Sequence, residues 1–183
     1  PPIGNYIRNC VIEDNYSCGF AACGGINWRI EGNTFRRNGG RMPGCDIDWE
    51  DGWEFSQDDV VRSNSFESAS GVIVCAGVNH VFKGNTFIKA DNHSSYRTIS
   101  TQARGLSDAE ARIVDNIYQN GASVDSIELN PSGFGIVDVY FGSVINGKYM
   151  YAYRLHDGNN TSKTLIREDF NPMIPLPYGH PDL

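Results

Sequence analysis

The chain has 183 residues, a formal net charge of −7 and a pI near 5.0. This acidic balance disfavours nucleic acid as a partner, because phosphates require a surface rich in Lys and Arg. Hydrophobic residues make up 40% of the chain. No stretch approaches the roughly 20 consecutive apolar residues of a membrane-spanning helix. The composition therefore indicates a globular domain and predicts no membrane contact.

A degenerate motif recurs five times along the first two thirds of the chain. It consists of an apolar residue, two variable residues, Asn, one variable residue, and an apolar or aromatic residue. The copies are Tyr6-Ile-Arg-Asn9-Cys-Val11, Ile30-Glu-Gly-Asn33-Thr-Phe35, Val61-Arg-Ser-Asn64-Ser-Phe66, Phe82-Lys-Gly-Asn85-Thr-Phe87 and Ile113-Val-Asp-Asn116-Ile-Tyr118.

The asparagines of the motif lie 24, 31, 21 and 31 residues apart. Periods of this size are typical of solenoids, in which each repeat stacks on its neighbours. An Asn between two apolar anchors belongs at a bend, where its side chain can bond the Asn of the next coil or unpaired backbone groups. The predicted fold is all-β, a right-handed parallel β-helix with a structural ladder of Asn9, Asn33, Asn64, Asn85 and Asn116.

A second strand is predicted in each coil after the Asn motif. Apolar residues align five segments, four of which have strand-like patterns. The segments are 19–23, 46–50, 71–75, 96–100 and 126–130. This alignment points Phe20/Ala22, Ile47/Trp49, Val72/Val74 and Ile127/Leu129 inward. It points Ala21, Asp48, Ile73, Thr98 and Glu128 outward. The fourth segment fits worst, because Arg97 would face the core, and a slip or bulge is expected there.

The second of these strands carries the strongest candidate for chemistry. Asp46, Asp48 and Glu50 alternate along it and would share one face, with neighbours about 6.5–7 Å apart. Such a row should raise at least one carboxyl pKa. Its spacing fits inverting hydrolysis of a glycosidic bond, in which one carboxyl acts as acid and the other as base.

Aromatic residues nearby would complete a sugar site. Trp53 and Tyr96 are candidate stacking surfaces, and Glu128 is a further acid on the same face three coils away. Three interpretations of the acidic row remain open. It could serve catalysis or sugar binding, it could bind Ca²⁺ or a neighbouring subunit, or it could be an ordinary solvated strand that discourages edge pairing.

The variable spacing of the motif predicts surface loops. The extra residues fall in 37–44, 89–95 and 102–109, which would flank the Asp48 face because stacked coil bodies cannot change length. A motif coil already begins by Tyr6, leaving no room for a cap, so we expect further coils before it. The coils are assigned to 1–133. A terminal β region with an extended, proline-containing tail is assigned to 134–183.

The other reactive side chains form no recognisable motif. The five cysteines show no CxxC spacing and no His at ligand spacing, so small buried thiols are expected, with no cofactor and no metal other than the Ca²⁺ alternative. Arg36, Arg37 and Arg41 have carboxylates nearby and are interpreted as a solvated loop. His80 is expected at the surface or in a turn. Arg97 is either a lyase-type base or an Arg paired with an acid at the edge of the core.

The Asn-x-Phe coils and the segment Asp46-Ile-Asp-Trp-Glu-Asp-Gly-Trp-Glu-Phe-Ser-Gln57 resemble the pectin-lyase-like β-helices of bacteriophage tail-spike and pre-neck appendage proteins. The resemblance covers about residues 5–130. It implies a homotrimer of side-by-side β-helices in the virion, acting outside the cell on a host surface polymer. Working carboxylates would lie near the Asp48 face or between subunits. The chain departs from pectate lyases, because it lacks paired Ca²⁺-ligand Asp coils with a matching Arg.

Three functions follow as hypotheses. The first is a virion module that binds, and as an enzyme would degrade, host cell-wall polysaccharide or teichoic acid. The second is a non-catalytic structural shaft of a trimeric phage fibre. The third is a secreted polysaccharide hydrolase or lyase. Because many activities share the β-helix, the fold alone does not choose among them.

Overall fold

The computed structural model describes residues 4–39, 45–50, 56–68, 70–74, 77–90, 97–103, 109–122, 127–131, 136–145, 148–156, 163–164 and 174–175. Within these ranges every regular element is a β-strand. The strands are β1 Tyr6–Arg8, β2 Val11–Glu13, β3 Cys18–Cys23, β4 Gly25–Ile26, β5 Arg29–Glu31, β6 Thr34–Arg36, β7 Cys45–Glu50, β8 Ser56–Gln57, β9 Val60–Arg62, β10 Ser65–Glu67, β11 Ser70–Val74, β12 Gly77–Lys83, β13 Thr86–Ile88, β14 Arg97–Ala103, β15 Ala109–Val114, β16 Ile117–Gln119, β17 Ile127–Pro131, β18 Ile136–Ile145, β19 Lys148–His156, β20 Lys163–Thr164 and β21 Ile174–Pro175.

The described strands form three sheets that the chain visits in turn. Sheet one has the order β1-β5-β9-β12-β15-β18-β19-β21, with β4 and β8 joined to it. Sheet two has the order β16-β13-β10-β6-β2, and sheet three β20-β17-β14-β11-β7-β3. Pairing is parallel throughout the coils, and the first antiparallel partners are β19 and β20. The molecule is therefore a parallel β-helix, which confirms the predicted fold class.

The interior is filled by columns of side chains in register. In sheet two, Phe35, Phe66, Phe87 and Tyr118 stack with centroid separations of 5.1, 5.0 and 5.8 Å and interplanar angles of 21°, 14° and 15°. The stack explains the aromatic residue two positions after the motif Asn. Further columns come from sheets one and three, and their buried members include Ile30, Val61, Phe82, Ile113, Ile47, Val72 and Ile99.

The corner between sheets one and two carries the predicted Asn ladder. Asn64 Oδ1 accepts hydrogen bonds from the backbone N and from Nδ2 of Asn33, at 2.8 and 3.0 Å. The same two bonds run from Asn64 to Asn85 and from Asn85 to Asn116, at 2.8–3.1 Å. The remaining Nδ2 hydrogen of each Asn reaches a carbonyl of the preceding coil, such as Ile30 O for Asn64. Each amide thus satisfies inward-turned backbone groups that water cannot reach.

Asn9 was wrongly assigned to this ladder. The ladder position of the first coil belongs to Cys10, whose backbone N donates to Asn33 Oδ1 at 2.9 Å. Asn9 precedes it at a left-handed corner with φ 54°. The equivalent residues of the other coils, Gly32, Ser63, Gly84 and Asp115, have φ between 52° and 65°. Asn tolerates this conformation better than most residues, which explains why an Asn occupies a neighbouring position.

Two further corners repeat the arrangement and were not recognised in the sequence. Between sheets two and three, Asn15 donates through N and Nδ2 to Asn38 Oδ1, at 3.2 and 2.9 Å. Between sheets three and one, the backbone N of Trp28 donates to Asp59 Oδ1 at 2.7 Å. At both corners the residue before the inward polar residue has a positive φ, as in Arg37 and Asp58. Asp58 and Asp59 are therefore turn residues.

The register of sheet three corrects the alignment of the fourth coil. Val72 pairs with Ile99 and Val74 with Thr101, so the predicted segment was displaced by two residues. Arg97 pairs with Ser70 at the start of β14, and Thr98, expected to face outward, is fully buried. The inward positions of Ala22, Ile47, Trp49 and Val72 are confirmed.

The terminal region continues sheet one before reversing direction. β18 pairs in parallel with β15 on one side and antiparallel with β19 on the other, and β19 pairs antiparallel with β21. The terminal region thus contains two long strands, β18 and β19. β18 extends the parallel sheet by one strand, and β19 then pairs antiparallel with the outer edge of β18.

Replacing Asn64 by Ala tests the ladder. The change leaves the Asn33 amide donors and the Ile30 carbonyl without their partners in a buried site, so we expect the free energy of unfolding to fall by about 2–4 kcal/mol. Asn9→Gly is the matched control, since glycine accepts the positive φ, and a change within about 1 kcal/mol is expected. Urea denaturation measures both variants. Equal losses would show that the ladder bonds are not the source of the effect.

Candidate functional site

The candidate site is built on β7, the strand next to the edge strand β3 of sheet three. β7 lies between β3 and β11, with Asp48 paired to Ala21 on one side and to Ile73 on the other. Along the sheet the register continues from Ile73 through Ser100, whose side chain is buried, to Glu128. This register confirms that Asp48 and Glu128 occupy one column three coils apart, which is about 14 Å at the usual strand spacing.

Asp46 does not belong to the outward acidic row, and its predicted exposure is wrong. Its side chain is fully buried, and Oδ1 accepts hydrogen bonds from Asn38 Nδ2 at 2.9 Å and from Ser68 Oγ at 2.7 Å. By register it lies between Gly19 and Gly71, whose missing side chains leave room for the carboxyl group to turn inward at the corner. A Cβ on Gly19 would lie 2.8 Å from the Asp46 carbonyl oxygen.

Burial raises the pKa of Asp46 to about 7. The hydrogen bonds from Asn38 and Ser68 lower this pKa, but by less than burial raises it. A raised carboxyl pKa was predicted, but from crowding of like charges along the row. Desolvation is the larger cause, and the charge of Glu67 adds a smaller contribution.

Asp48 and Glu50 remain as the outward carboxylates of β7. Both side chains are half-buried. Ile47, which precedes the pair, and Trp49, which lies between its two members, are fully buried in the core. Residues two apart in a strand lie about 6.5–7 Å from each other on one face. At this general strand spacing the two residues would fall at the short end of the separation used by inverting glycosidases, about 6.5–9.5 Å.

The proposed sugar-contacting residues are only partly placed. Trp53 and Tyr96 lie outside the described residues. Glu128 lies in β17, and its backbone pairs with Ser100, but its side chain is outside the description. Arg97, considered as a lyase base, is placed by its backbone alone.

Asp48 belongs to a group of three side chains that the sequence did not reveal. Cys18 and Cys45 are register partners in β3 and β7, and their sulfur atoms lie 3.5 Å apart. Cys18 Sγ also lies 3.7 Å from Asp48 Oδ2. All three potential ligand atoms lie within 4.8 Å of one another, the one such group of His, Cys, Asp or Glu found in the described part of the chain. The thiols are 27 residues apart in sequence, so no short motif could have indicated them.

The environments of the two thiols differ. Cys45 is fully buried, and burial raises its pKa, with Cys18 and Asp48 adding to the rise. Cys18 is half-buried, and Cys10 and Cys23 are exposed free thiols. The expectation of buried thiols therefore holds for Cys45 and fails for Cys10 and Cys23. Cys75 lies outside the described residues.

Arg36 and Arg37 are paired with carboxylates at the surface as predicted, but Arg36 lies in β6 and Arg37 at the corner after it rather than in a loop. Arg37 contacts Glu13 at 2.8 Å and Asp14 at 2.7 Å, and Arg36 also pairs with Glu13. Hydrogen bonds from Arg36 and Arg37 hold the pKa of Glu13 and of Asp14 below their usual values. Arg41 lies outside the described residues.

His80 is buried rather than exposed. It lies at a corner with Nδ1 3.3 Å from Asp59 Oδ2, and its ring packs against Trp49 with a centroid separation of 5.6 Å. Ser56 Oγ donates to the same Asp59 oxygen at 2.8 Å. These buried groups belong to the core and corner, away from the outward face of sheet three.

Comparison with models of known protein families, with curated proteins and with solved structures finds no match to this chain. Among the described residues there is no helix long and apolar enough to cross a membrane. The site must therefore be interpreted from its own geometry.

The raised pKa of Asp46 makes stability depend on pH. Between about pH 4 and pH 7 the folded protein keeps a proton that the unfolded chain has released, so Asp46 makes the free energy of unfolding fall as pH rises through this window. Asp46→Asn cannot ionise and can keep its Oδ1 acceptor. We expect its stability relative to wild type to increase from pH 4 to pH 7, by at most about 1.4 kcal/mol per pH unit.

Urea unfolding at several pH values across this window measures the difference. Asn64→Ala is the control, because it alters a corner without changing a titratable group, and its difference from wild type should not follow the same pH course. If the difference in free energy of unfolding between Asp46→Asn and wild type did not change with pH, the raised pKa of Asp46 would be contradicted.

Proposed function

We propose that this chain is a β-helix module of a bacteriophage tail or appendage that binds a host cell-surface polysaccharide or teichoic acid. Its contact surface is the outward face of sheet three around Asp48 and Glu50. The observation that carries the proposal is this half-exposed carboxylate pair on a regular parallel sheet. Carboxylates accept hydrogen bonds from sugar hydroxyls, and the flat sheet presents them along an extended polymer.

The connections of the solenoid support the same face. The segments between β6 and β7, between β13 and β14, and between β14 and β15 hold the extra residues of the longer coils. Each of them enters or leaves sheet three, as the variable motif spacing predicted. Insertions that border one sheet are typical of a binding face carried on a constant scaffold.

The proposal also includes the oligomeric state of the chain and its location in the virion. The resemblance of the coils to tail-spike β-helices favours a homotrimer in the virion, with the polymer bound outside the cell. Asp48 and Glu50 could in that assembly act as acid and base on a glycosidic bond. The usual spacing of alternate strand residues, about 6.5–7 Å, favours inversion, because it leaves room for a water molecule between carboxylate and sugar.

Substitution of the pair tests binding and hydrolysis separately. Host cell-wall glycan is incubated with wild type and with Asp48→Asn and Glu50→Gln variants, and both retention and release of reducing ends are measured. Glycan binding is expected to weaken by at least about tenfold in each variant, corresponding to about 1.4 kcal/mol. Glu67→Gln in sheet two is the control, because it makes the same change on a different face.

The outcomes separate the candidate functions. Binding without release by wild type supports a receptor-binding module, whereas release that the variants lose while still binding supports a hydrolase. Absence of both from the wild-type trimer would contradict the proposal and leave the structural shaft. The shaft is favoured by one observation, the inward turn of Asp46, which reduces the predicted acidic row from three members to two.

A further inference from the structure

Two thiols and one carboxylate meet near the start of β7, and none of the functions above uses the sulfur atoms. Cys18 and Cys45 are brought together by the parallel register of β3 and β7, and Asp48 reaches them from the same strand as Cys45. Cys45 is fully buried, while Cys18 and Asp48 are half-buried. An ion could therefore enter from the Cys18 and Asp48 side and reach the buried sulfur.

The separations match those around a tetrahedral zinc ion. With Zn–S bonds of about 2.3 Å and Zn–O bonds of about 2.1 Å, two sulfur ligands lie about 3.7–3.8 Å apart and a sulfur and an oxygen about 3.6 Å apart. The structure has 3.5 Å between the two sulfur atoms and 3.7 Å between Cys18 Sγ and Asp48 Oδ2. The third separation, between the Cys45 sulfur and the Asp48 carboxylate, is within 4.8 Å, so a shift of about 1 Å at most would place one ion in contact with all three atoms.

We propose that Cys18, Cys45 and Asp48 form a binding site for a thiophilic divalent cation such as Zn²⁺. Two sulfur ligands select against Ca²⁺ and Mg²⁺, which prefer all-oxygen coordination. Three protein ligands leave a fourth position for water, the number found in catalytic rather than structural zinc sites. The site differs from the Ca²⁺ alternative drawn from the acidic row, because it uses one carboxylate and two residues outside that row.

A disulfide is the competing use of the same thiols. It requires an S–S distance of about 2.05 Å, well below the 3.5 Å observed, although paired positions in neighbouring strands are close enough for such a bond. A disulfide would also leave Asp48 with no part in the chemistry of the cluster. Zinc accounts for all three side chains, so we favour the metal site and make the disulfide an outcome of the test.

Cobalt substitution gives a direct readout of the ligands. The whole chain, kept reduced and stripped with a chelator, is titrated with Co²⁺ and then with Zn²⁺. One Co²⁺ per chain is expected, with a thiolate-to-cobalt charge-transfer band that Zn²⁺ abolishes and Ca²⁺ does not. Cys18→Ser should lose or strongly weaken the band, and Asp48→Asn should weaken Zn²⁺ binding by at least about tenfold. Cys23→Ser is the matched control, since this exposed thiol of β3 lies outside the cluster.

Two measurements keep the result decisive. Thermal unfolding with and without Zn²⁺ should show stabilisation in wild type and in Cys23→Ser but not in Cys18→Ser, because a ligand bound only to the folded state raises its stability. The proposal would be overturned by the absence of a charge-transfer band in wild type or by a band of undiminished intensity in Cys18→Ser. It would also be overturned if, in a parallel sample without reductant, Cys18 and Cys45 formed a disulfide and the reduced chain bound no metal. Glycan binding by metal-free Cys18→Ser is measured alongside and should persist, so failure of either proposal is recognised independently.

Discussion

The whole structure depends on how the chain turns from one sheet to the next. At each corner a residue with positive φ redirects the backbone, and the residue after it turns inward. Inward backbone N–H groups would be buried without partners, at a cost of about 1–3 kcal/mol each. Polar side chains of the next coil accept these hydrogens instead, as Asn64 does for Asn33 and Asp59 does for Trp28. The corners therefore lock neighbouring coils into one register.

That register decides which side chains meet. It stacks Phe35 on Phe66, and it brings Cys18 beside Cys45 although 27 residues separate them. It also places Asp46 at a corner, where the carboxyl group joins Asn38 and Ser68 rather than the outward face. The acidic pair and the thiol pair are thus two consequences of one alignment, and both lie on sheet three.

The sequence was sufficient for the fold because the Asn is followed at a fixed distance by an aromatic residue that stacks. It was insufficient where a corner interrupts strand alternation. Period-two alternation assigned Asp46 to the face of Asp48, but at the start of β7 its carboxyl group is buried and accepts hydrogen bonds from Asn38 and Ser68. Likewise Asn9 fitted the motif only because two adjacent positions of a corner both favour Asn. The thiol cluster was invisible for another reason, since its members are neighbours only across strands.

Stability and the proposed binding function are therefore assigned to different parts of the coil. The buried columns and corner ladders hold the coils together, whereas Asp48 and Glu50 extend from the opposite side of a strand whose inward residues, Ile47 and Trp49, are completely buried. Substitutions on the outward face should leave the ladders and the core unchanged. Cys45 is the exception, because it is buried and yet belongs to the outward cluster. A ligand held there would couple the exposed face of sheet three to the packing beneath it.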